Sequence, residues 1–328
     1  MLQFYTATGA CGAFDINDAL PAGAIWIDML DPDAAERAYV TRVTGLNIPT
    51  RDEIIEIETS SRMHVEDDVL HLSAAIVARN DIGEPHMSPV GFVLGHGVVL
   101  TVRYEDLKAF GMVETMMAHR DPLVKTPGGI LVALFEAVVD RMADALERVA
   151  GDLDAVSHRI FGADSDAVGA TRHMTRRSEG LREALRAVGR AGDLASKVRA
   201  SLHGIARIIP FVIGQRPRWL PEDVLPRMKI LRQDVVSLNE FETHLTDKVQ
   251  LLLDAALGLA SIDQNNIFRI LTVVSVVGIP PTLIASMYGM NFKHMPELDW
   301  TYGYPWGLTL IALSAILPLV WFKLRGWL

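Results

Sequence analysis

Cysteine is nearly absent from this sequence, since Cys11 is the only one among 328 residues. A single cysteine allows no disulfide within the chain and no CxxC metal pair, so we expect a reducing compartment. No P-loop, HExxH or GxSxG motif occurs, and we therefore predict that the protein is not an enzyme. The ten histidines are scattered, and we interpret most of them as surface or packing residues.

Basic residues are outnumbered by acidic ones, which gives a formal net charge of -9. The charged residues from Asn265 onward carry a net charge of +2, so the first 264 residues carry -11. Such an acidic region is poorly suited to nucleic acid and better suited to divalent cations. The N-terminal residues have neither a basic segment nor a long apolar core, so we expect no signal peptide and a cytoplasmic N-terminus.

Charged residues are also missing from two long windows near the C-terminus. The stretches between Arg269 and Lys293 and between Asp299 and Lys323 each have 23 residues without Asp, Glu, Lys or Arg. A helix needs about 20 residues to cross the hydrocarbon layer, so both windows predict transmembrane helices. Arg269 precedes the first window, and Lys323 and Arg325 follow the second. Because basic residues favour the cytoplasmic side of a membrane, this excess places both termini inside. A buried helical hairpin of a soluble protein is the alternative.

The first 120 or so residues contain short β-type runs and one clear helix start. Four runs predict strands, the last two forming a hairpin: Ala24–Met29, Val69–Ala78, Pro89–Gly95 and Val98–Arg103. Between the strands, the segment DPDAAERAYVTRV places a proline in the first turn after a capping aspartate, Asp31. We therefore predict an α/β domain with a mixed sheet.

Long helices follow Pro127. Apolar residues recur every three or four positions from Leu131 to Ile160 and again from Leu181 to Ile205, which predicts two amphipathic helices. A third helix is predicted to begin near Glu222. If it continues to Tyr288, it is about 100 Å long at 1.5 Å per residue.

The predicted fold is thus an α/β cytoplasmic domain, a long helical stalk and two C-terminal transmembrane helices. The predicted segments are the α/β domain at 1–125, amphipathic helices at 126–215, the stalk helix at 219–266, transmembrane helix 1 at 267–290, a periplasmic loop at 291–304, transmembrane helix 2 at 305–323 and a cytoplasmic tail at 324–328.

The first apolar window carries four hydroxyl residues on one side of the helix. Thr272, Ser275, Thr282 and Ser286 fall within an arc of about 80° at 100° per residue. The same stripe continues toward the N-terminus through mostly polar residues: Glu240, His244, Asp247, Leu251, Asp254, Gly258, Ser261, Asn265 and Phe268. Outside the membrane such a stripe is typical of a solvated face.

Within the membrane the hydroxyl face predicts a water-filled axis. Two helices cannot enclose water, so we infer a cyclic oligomer of several chains. The face offers neutral oxygen and no cysteine, histidine or carboxylate. Such ligands suit a hard cation that keeps its water, of which Mg²⁺ is the main example.

The first apolar window ends in the tetrapeptide YGMN. Gly289 lets helices approach closely, and a ring of Asn291 carboxamides could accept hydrogen bonds from the water around a cation. Glycine and asparagine are also common at helix C-caps, so an ordinary cap is the alternative.

These features together resemble the CorA family of magnesium transport proteins. The motif YGMNF is followed by MPEL (Met295 to Leu298), apolar helices flank both, and the chain ends in FKLRGWL. The segments WIDMLDPD, RDEIIEIETSSR and FVLG extend the resemblance more loosely. It implies a homopentameric channel with a funnel-shaped cytoplasmic domain and a pore lined by transmembrane helix 1.

The resemblance also implies roles for particular residues. Gly289, Met290 and Asn291 would form the outer selectivity filter, and further pore positions would be Thr282, Ile279, Leu271, Phe268 and Asn265. With the hydroxyl face, the predicted pore-lining set becomes Asn265, Phe268, Leu271, Thr272, Ser275, Ile279, Thr282 and Ser286.

A regulatory metal site is implied on the stalk at Asp254, with Asp247 one heptad away. Its partner acid on a neighbouring subunit is placed at Asp81, with Asp67 and Asp68 as alternatives.

Two departures from the family pattern concern charge. Lys293 stands where relatives often have an acid, so Glu297 and Asp299 would have to supply the cation-attracting outer mouth. The tail offers only Lys323 and Arg325 as its basic ring, where many relatives have a denser cluster.

The predicted function is gated uptake of Mg²⁺ across the inner membrane, with Co²⁺ and Ni²⁺ as surrogates and closure by cytoplasmic Mg²⁺. The predicted partners are copies of the chain in a homopentamer, the lipid bilayer and divalent cations, with no nucleic acid and no organic cofactor. Two alternatives remain. One is the zinc-transporting branch of the same superfamily, and the other is a membrane-anchored metal sensor or scaffold that does not transport.

Overall fold

A computed structural model of the chain describes residues 1–14, 20–56, 58, 62–79, 84–161, 170–215, 221–222, 224–290, 296 and 300–327. Side chains are described in these ranges except at Phe14, at Arg79 and at 170–178. The chain divides into two units. The first comprises Met1–His173 and Arg182–Leu253, and the second comprises Met174–Leu181 and Asp254–Leu328.

The first unit contains a seven-stranded sheet in the order β2-β1-β3-β7-β6-β5-β4. Only β3 and β7 run parallel, and every other neighbouring pair is antiparallel, so the predicted mixed sheet is confirmed. The strands are β1 (Leu2–Thr6), β2 (Cys11–Phe14), β3 (Ala24–Leu30), β4 (Met63–Glu66), β5 (Val69–Arg79), β6 (Pro85–Gly95) and β7 (Val98–Arg103).

The two faces of the sheet bury separate cores, because successive side chains of a strand point to opposite sides. Val90, Phe92 and Leu94 of β6 belong to the larger core, whereas Val93 belongs to the smaller one. Two short helices, α1 (Ala34–Thr44) and α2 (Arg51–Ile55), contribute Tyr39, Val40 and Ile54 to the smaller core.

Long helices build the larger core. After α3 (Lys108–Ala118) and a short 3₁₀ turn (Pro122–Val124) come α4 (Pro127–Phe161), α5 (Ala170–Gln215) and α6 (Val224–Tyr288). Their apolar stripes meet in one cluster that includes Phe135, Val198 and Leu231. The first two of these helices correspond to the amphipathic helices expected from the sequence, and the third continues without a break over 65 residues. The last helix is α7 (Gly303–Leu324).

Ion pairs connect these helices within the first unit. The buried Glu242 of α6 lies 2.9 Å from the Nε of Arg199 on α5, and it also accepts a hydrogen bond from Thr246. Lys248 of α6 lies 2.5 Å from a carboxylate oxygen of Asp154 on α4. Because a buried carboxylate is costly without a partner, Arg199 favours the alignment of α5 and α6 that brings it to Glu242.

Two local predictions differ from the structure. The N-cap of α1 is Asp33, which forms a capping box with Glu36, whereas Asp31 lies outside the helix with φ 46°. Strand β6 begins at Pro85, four residues before the predicted start. Only β5 pairs with β6 between Pro85 and Pro89, so that end of β6 is an edge, where a proline without an N–H is tolerated.

Candidate functional site

Exposure varies around helix α6 in the second unit. Along its apolar window, from Ile270 to Tyr288, the less exposed residues other than Ser275 lie within an arc of about 100°. Of these, Val273 is buried and the others are half-buried: Val277, Pro280, Pro281, Ile284 and Tyr288. One side of α6 in this window is therefore partly covered by the rest of the chain.

The eight predicted pore-lining residues lie on the opposite side of α6. Their mean direction is about 170° from the centre of the less exposed arc. Seven of them are exposed, and Ser275 is half-buried. The exposed fractions of Phe268, Leu271 and Ile279 are 56%, 59% and 63%. In a single chain, this side is therefore free to face other molecules.

Two hydroxyls on this side are fixed by their own helix. Thr272 Oγ1 donates to the carbonyl oxygen of Phe268, and Thr282 Oγ1 donates to that of Gly278, each at 2.8 Å. A hydroxyl has one proton and two lone pairs, so the bonded hydroxyls still offer acceptor oxygens outward. Acceptors suit the water around a cation, because its hydrogens point away from the ion.

The exposed side leads to the end of α6 at Tyr288. The N–H of Gly289 donates to Ala285 and that of Met290 to Met287, at 3.0 and 3.3 Å. A glycine cap typically requires a left-handed backbone, but Gly289 is not among the described glycines with positive φ. A left-handed cap therefore does not explain this glycine. Asn291, the last member of the predicted filter, lies outside the described residues.

The predicted outer mouth, Glu297 and Asp299, also lies outside the described residues. The predicted basic ring lies at the end of α7. Lys323 and Arg325 are exposed, and the guanidinium of Arg325 lies 5.5 Å from the ring centre of Trp321.

The predicted regulatory acids are described only in part. Asp254 and Asp247 are both exposed on α6, whereas Asp81 lies outside the described residues. Asp67 and Asp68 form the turn between β4 and β5, with φ 48° and 67°. Both have φ > 0, as a two-residue type I′ hairpin turn requires.

One cluster of possible metal ligands was missed by the sequence analysis. His64, Glu66 and His71 each place a ligand atom within 4.8 Å of the others. The sequence analysis treated the histidines as scattered and did not single out this pair, which the hairpin brings together. The signal was present in the sequence, since His64 and Glu66 alternate along a strand and the two-residue turn pairs His64 with His71.

Two helices, α6 and α7, are long and apolar enough to cross a membrane, and at most 6% of the apolar window of either is buried. Together with the mixed-sheet unit and the hydroxyl side of α6, they are typical of a membrane transport protein with a large α/β domain outside the bilayer.

The chain belongs to the CorA-like Mg2+ transporter protein family, whose model matches residues 21–324. It is 34% identical over 306 residues to the magnesium transport protein CorA of Haemophilus ducreyi, covering 93% of this chain and 92% of the relative. It is 33% identical over 316 residues to that of Escherichia coli K12, covering 96% and 95%.

Two solved structures share the whole fold. The CorA magnesium transporter of Methanocaldococcus jannaschii matches with a TM-score of 0.70 and 18% identity, over 100% of this chain and 99% of the other. The full-length CmaX protein matches with a TM-score of 0.69 and 19% identity, over 99% and 96%. The predicted fold class is thus confirmed.

Proposed function

We propose that this protein is a gated channel for Mg²⁺ uptake across the inner membrane, formed by five copies of the chain around a pore lined by α6. Family membership and relatives named as magnesium transport proteins support Mg²⁺ as the cargo. In this arrangement both termini lie in the cytoplasm, because the basic residues flank the two apolar windows on that side.

The observation that carries the proposal is the position of the neutral oxygens on α6. The hydroxyl side lies opposite the less exposed arc, and two of its hydroxyls have their protons engaged by the helix itself. In a ring of five chains this side faces the axis, so the oxygens accept hydrogen bonds from the water carried by the ion. A helix that serves only as an anchor gains nothing from such alignment.

The selectivity filter in this proposal is Gly289, Met290 and Asn291. The carboxamide oxygens of Asn291 would hold a hydrated cation at the outer end, and the absence of a side chain at Gly289 lets neighbouring helices come close. Farther inside, Phe268, Leu271 and Ile279 form apolar rings that can exclude water from the closed pore. Co²⁺ and Ni²⁺, which also have an octahedral preference, would pass as surrogates.

Closure would depend on cytoplasmic Mg²⁺ bound between subunits. Exposed carboxylates are the oxygen ligands that Mg²⁺ prefers, so the donor chemistry of Asp254 fits the ion. Asp81 is the proposed partner on the neighbouring subunit, with Asp67 and Asp68 of the β4–β5 turn as alternatives. Mg²⁺ bound there would relieve repulsion between acidic subunits and favour the closed state.

The proposal can be tested by measuring ion uptake into liposomes that contain the purified full-length protein. Asn291→Ala should abolish Mg²⁺ uptake while the oligomer stays intact on size-exclusion chromatography. Asn266→Ala is a matched control, since this asparagine of α6 is half-buried and lies away from the predicted pore side. Normal Mg²⁺ flux through Asn291→Ala would contradict the proposed filter.

The same liposomes distinguish the two alternative functions. Faster flux of Zn²⁺ than of Mg²⁺ would assign the protein to the zinc-transporting branch. No flux of either ion, with the protein inserted and oligomeric, would leave the membrane-anchored sensor as the function.

A further inference from the structure

The β4–β5 hairpin aligns three potential metal ligands on one side of the sheet. His64 pairs directly with His71 across the two strands, and Glu66 lies two residues after His64. Residues two apart on a strand share a face, and directly opposed residues share the same face. The short turn at Asp67 and Asp68 fixes this register, so the three side chains are neighbours for geometric reasons.

The two imidazole rings lie face to face. Their centres are 4.6 Å apart and their planes differ by 4°. The ligand atoms of His64, Glu66 and His71 all lie within 4.8 Å of one another. Two stacked imidazoles beside a carboxylate form a set of two nitrogen donors and one oxygen donor.

His71 has the properties of a ligand rather than of a surface residue. It is 8% exposed, and its ring is stacked on that of His64. Burial lowers the pKa of His71, and the neighbouring His64 lowers it further, while Glu66 acts in the opposite direction.

We propose that His64, Glu66 and His71 bind one transition metal ion of the Zn²⁺ type, with water completing the coordination. Zn²⁺, Co²⁺ and Ni²⁺ accept imidazole nitrogen together with carboxylate oxygen, whereas Mg²⁺ requires oxygen ligands in nearly ideal octahedral geometry. The site is therefore distinct in chemistry from the carboxylate site proposed for Mg²⁺ at Asp254.

Binding requires a small contraction of the cluster. Ligand atoms at about 2.0–2.1 Å from a tetrahedral ion lie about 3.3 Å apart, which is closer than the present limit of 4.8 Å. Glu66 is exposed, and β4 is the last strand of the sheet with β5 as its neighbour. An imidazole coordinates through a lone pair in its ring plane, so one of the two parallel rings must turn out of the stack. Rotation of the His64 and Glu66 side chains, with a small shift of this edge strand, can bring the three ligand atoms together while His71 stays fixed in the sheet.

The test is an isothermal calorimetric titration of the purified full-length protein with Zn²⁺ in the presence of excess Mg²⁺. The wild type should bind one Zn²⁺ per chain that Mg²⁺ does not displace. His64→Ala and Glu66→Gln should each weaken this binding by about 100-fold or more, since even changes to groups behind a ligand cost 10–100-fold. His203→Ala, an exposed histidine of α5, should bind as the wild type does.

A second measurement keeps the test independent of how the variants fold. X-ray absorption of the Zn²⁺-loaded wild type should show imidazole ligands, with nitrogen at about 2.0–2.1 Å from the metal. Absence of imidazole scattering would overturn the proposal. Equal affinity of wild type, His64→Ala and Glu66→Gln would overturn it as well. Because none of these readouts measures ion flux, failure here leaves the proposed channel untouched.

Discussion

Thr282 donates its hydroxyl proton to the carbonyl oxygen of Gly278 at 2.8 Å, directly after the prolines at 280 and 281. Neither proline has an N–H for the carbonyl four residues earlier, so α6 loses two of its own hydrogen bonds in the apolar window. The Thr282 hydroxyl therefore gives the helix an additional local bond here while it presents an oxygen on the predicted pore side.

Thr282→Val should reduce Mg²⁺ flux by a few-fold to about tenfold, because a lost hydrogen bond is worth ~0.5–1.5 kcal/mol. Valine keeps the shape of threonine but removes the oxygen, whereas Thr282→Ser keeps the oxygen and should conduct like the wild type. Uptake into liposomes measures the effect. Thr309→Val is the matched control, since Thr309 of α7 makes the same 2.8 Å bond to the carbonyl of Pro305.

The apolar gate can be tested by removing a bulky ring of side chains. Phe268→Gly and Leu271→Gly should leak Mg²⁺ when the internal concentration is high, because a wider and wetter constriction no longer blocks hydrated ions. A glycine within a helix also costs about 0.5–1 kcal/mol by itself. Ile270→Gly places the same destabilising glycine at an exposed position on the other side of α6, and the channel with this substitution should remain closed. If Phe268→Gly and Leu271→Gly both stay closed, the gate lies elsewhere.

The buried ion pair between Asp28 of β3 and Arg103 of β7 should stabilise the first unit. The Nη2 of Arg103 lies 2.8 Å from the carboxylate, and the two side chains are 5% and 1% exposed. Burial opposes the charged form of Arg103, but Asp28 prevails and raises the pKa of the guanidinium. Arg103→Met leaves the Asp28 carboxylate without this cation and should cost about 3–5 kcal/mol.

The stability lost in Arg103→Met can be measured by hydrogen exchange of the β3 and β7 amides. The double variant Asp28→Leu with Arg103→Met should recover much of the protection, because it leaves no buried charge behind. Arg141→Met removes an exposed ion pair with Asp144 and should change stability by less than about 1 kcal/mol. Unchanged exchange in Arg103→Met would show that the pair does not hold the two strands together.

Much of the fold could be predicted because periodicity and composition are local signals. The apolar windows, the long amphipathic helices and the two strands of the β6–β7 hairpin each show their pattern within one segment. The shorter strands β1, β2 and β4 and the helices α2 and α3 were not predicted. Apart from α3, each has only four or five residues, too few to show a clear period. In addition, β1 pairs with β3 across some twenty residues, which no local signal predicts.

One part of the candidate site could also be predicted from the sequence, and another part could not. The hydroxyl side of α6 follows from helical geometry alone, so the spacing of Thr272 and Thr282 in the sequence is enough to place them on one side. The cluster of His64, Glu66 and His71 depends on the register of two strands and on a turn whose residues have φ > 0, so composition alone did not reveal it. The roles of Asn291, Glu297 and Asp81 stay predictions.

Feedback by cytoplasmic Mg²⁺ gives the last prediction. The first 264 residues carry a charge of -11, and Asp254 and Asp247 are exposed on α6 one heptad apart. In the proposed oligomer, carboxylates of neighbouring subunits would repel each other, and bound Mg²⁺ would offset that repulsion in the closed state. Differential affinity for the closed state is what lets an ion shift the equilibrium toward closure.

Protease protection of the first unit, titrated with Mg²⁺, measures this shift. The wild type should become resistant as Mg²⁺ rises through the millimolar range, and Asp254→Ala should need more. Asp254→Lys places a fixed cation at the site and should be resistant at low Mg²⁺. Asp234→Ala removes an exposed acid of α6 that lies off the polar stripe, so it matches the charge change of Asp254→Ala. If both alanine variants shift the titration equally, net charge alone accounts for the protection, whereas a shift confined to Asp254→Ala identifies this carboxylate as the sensor.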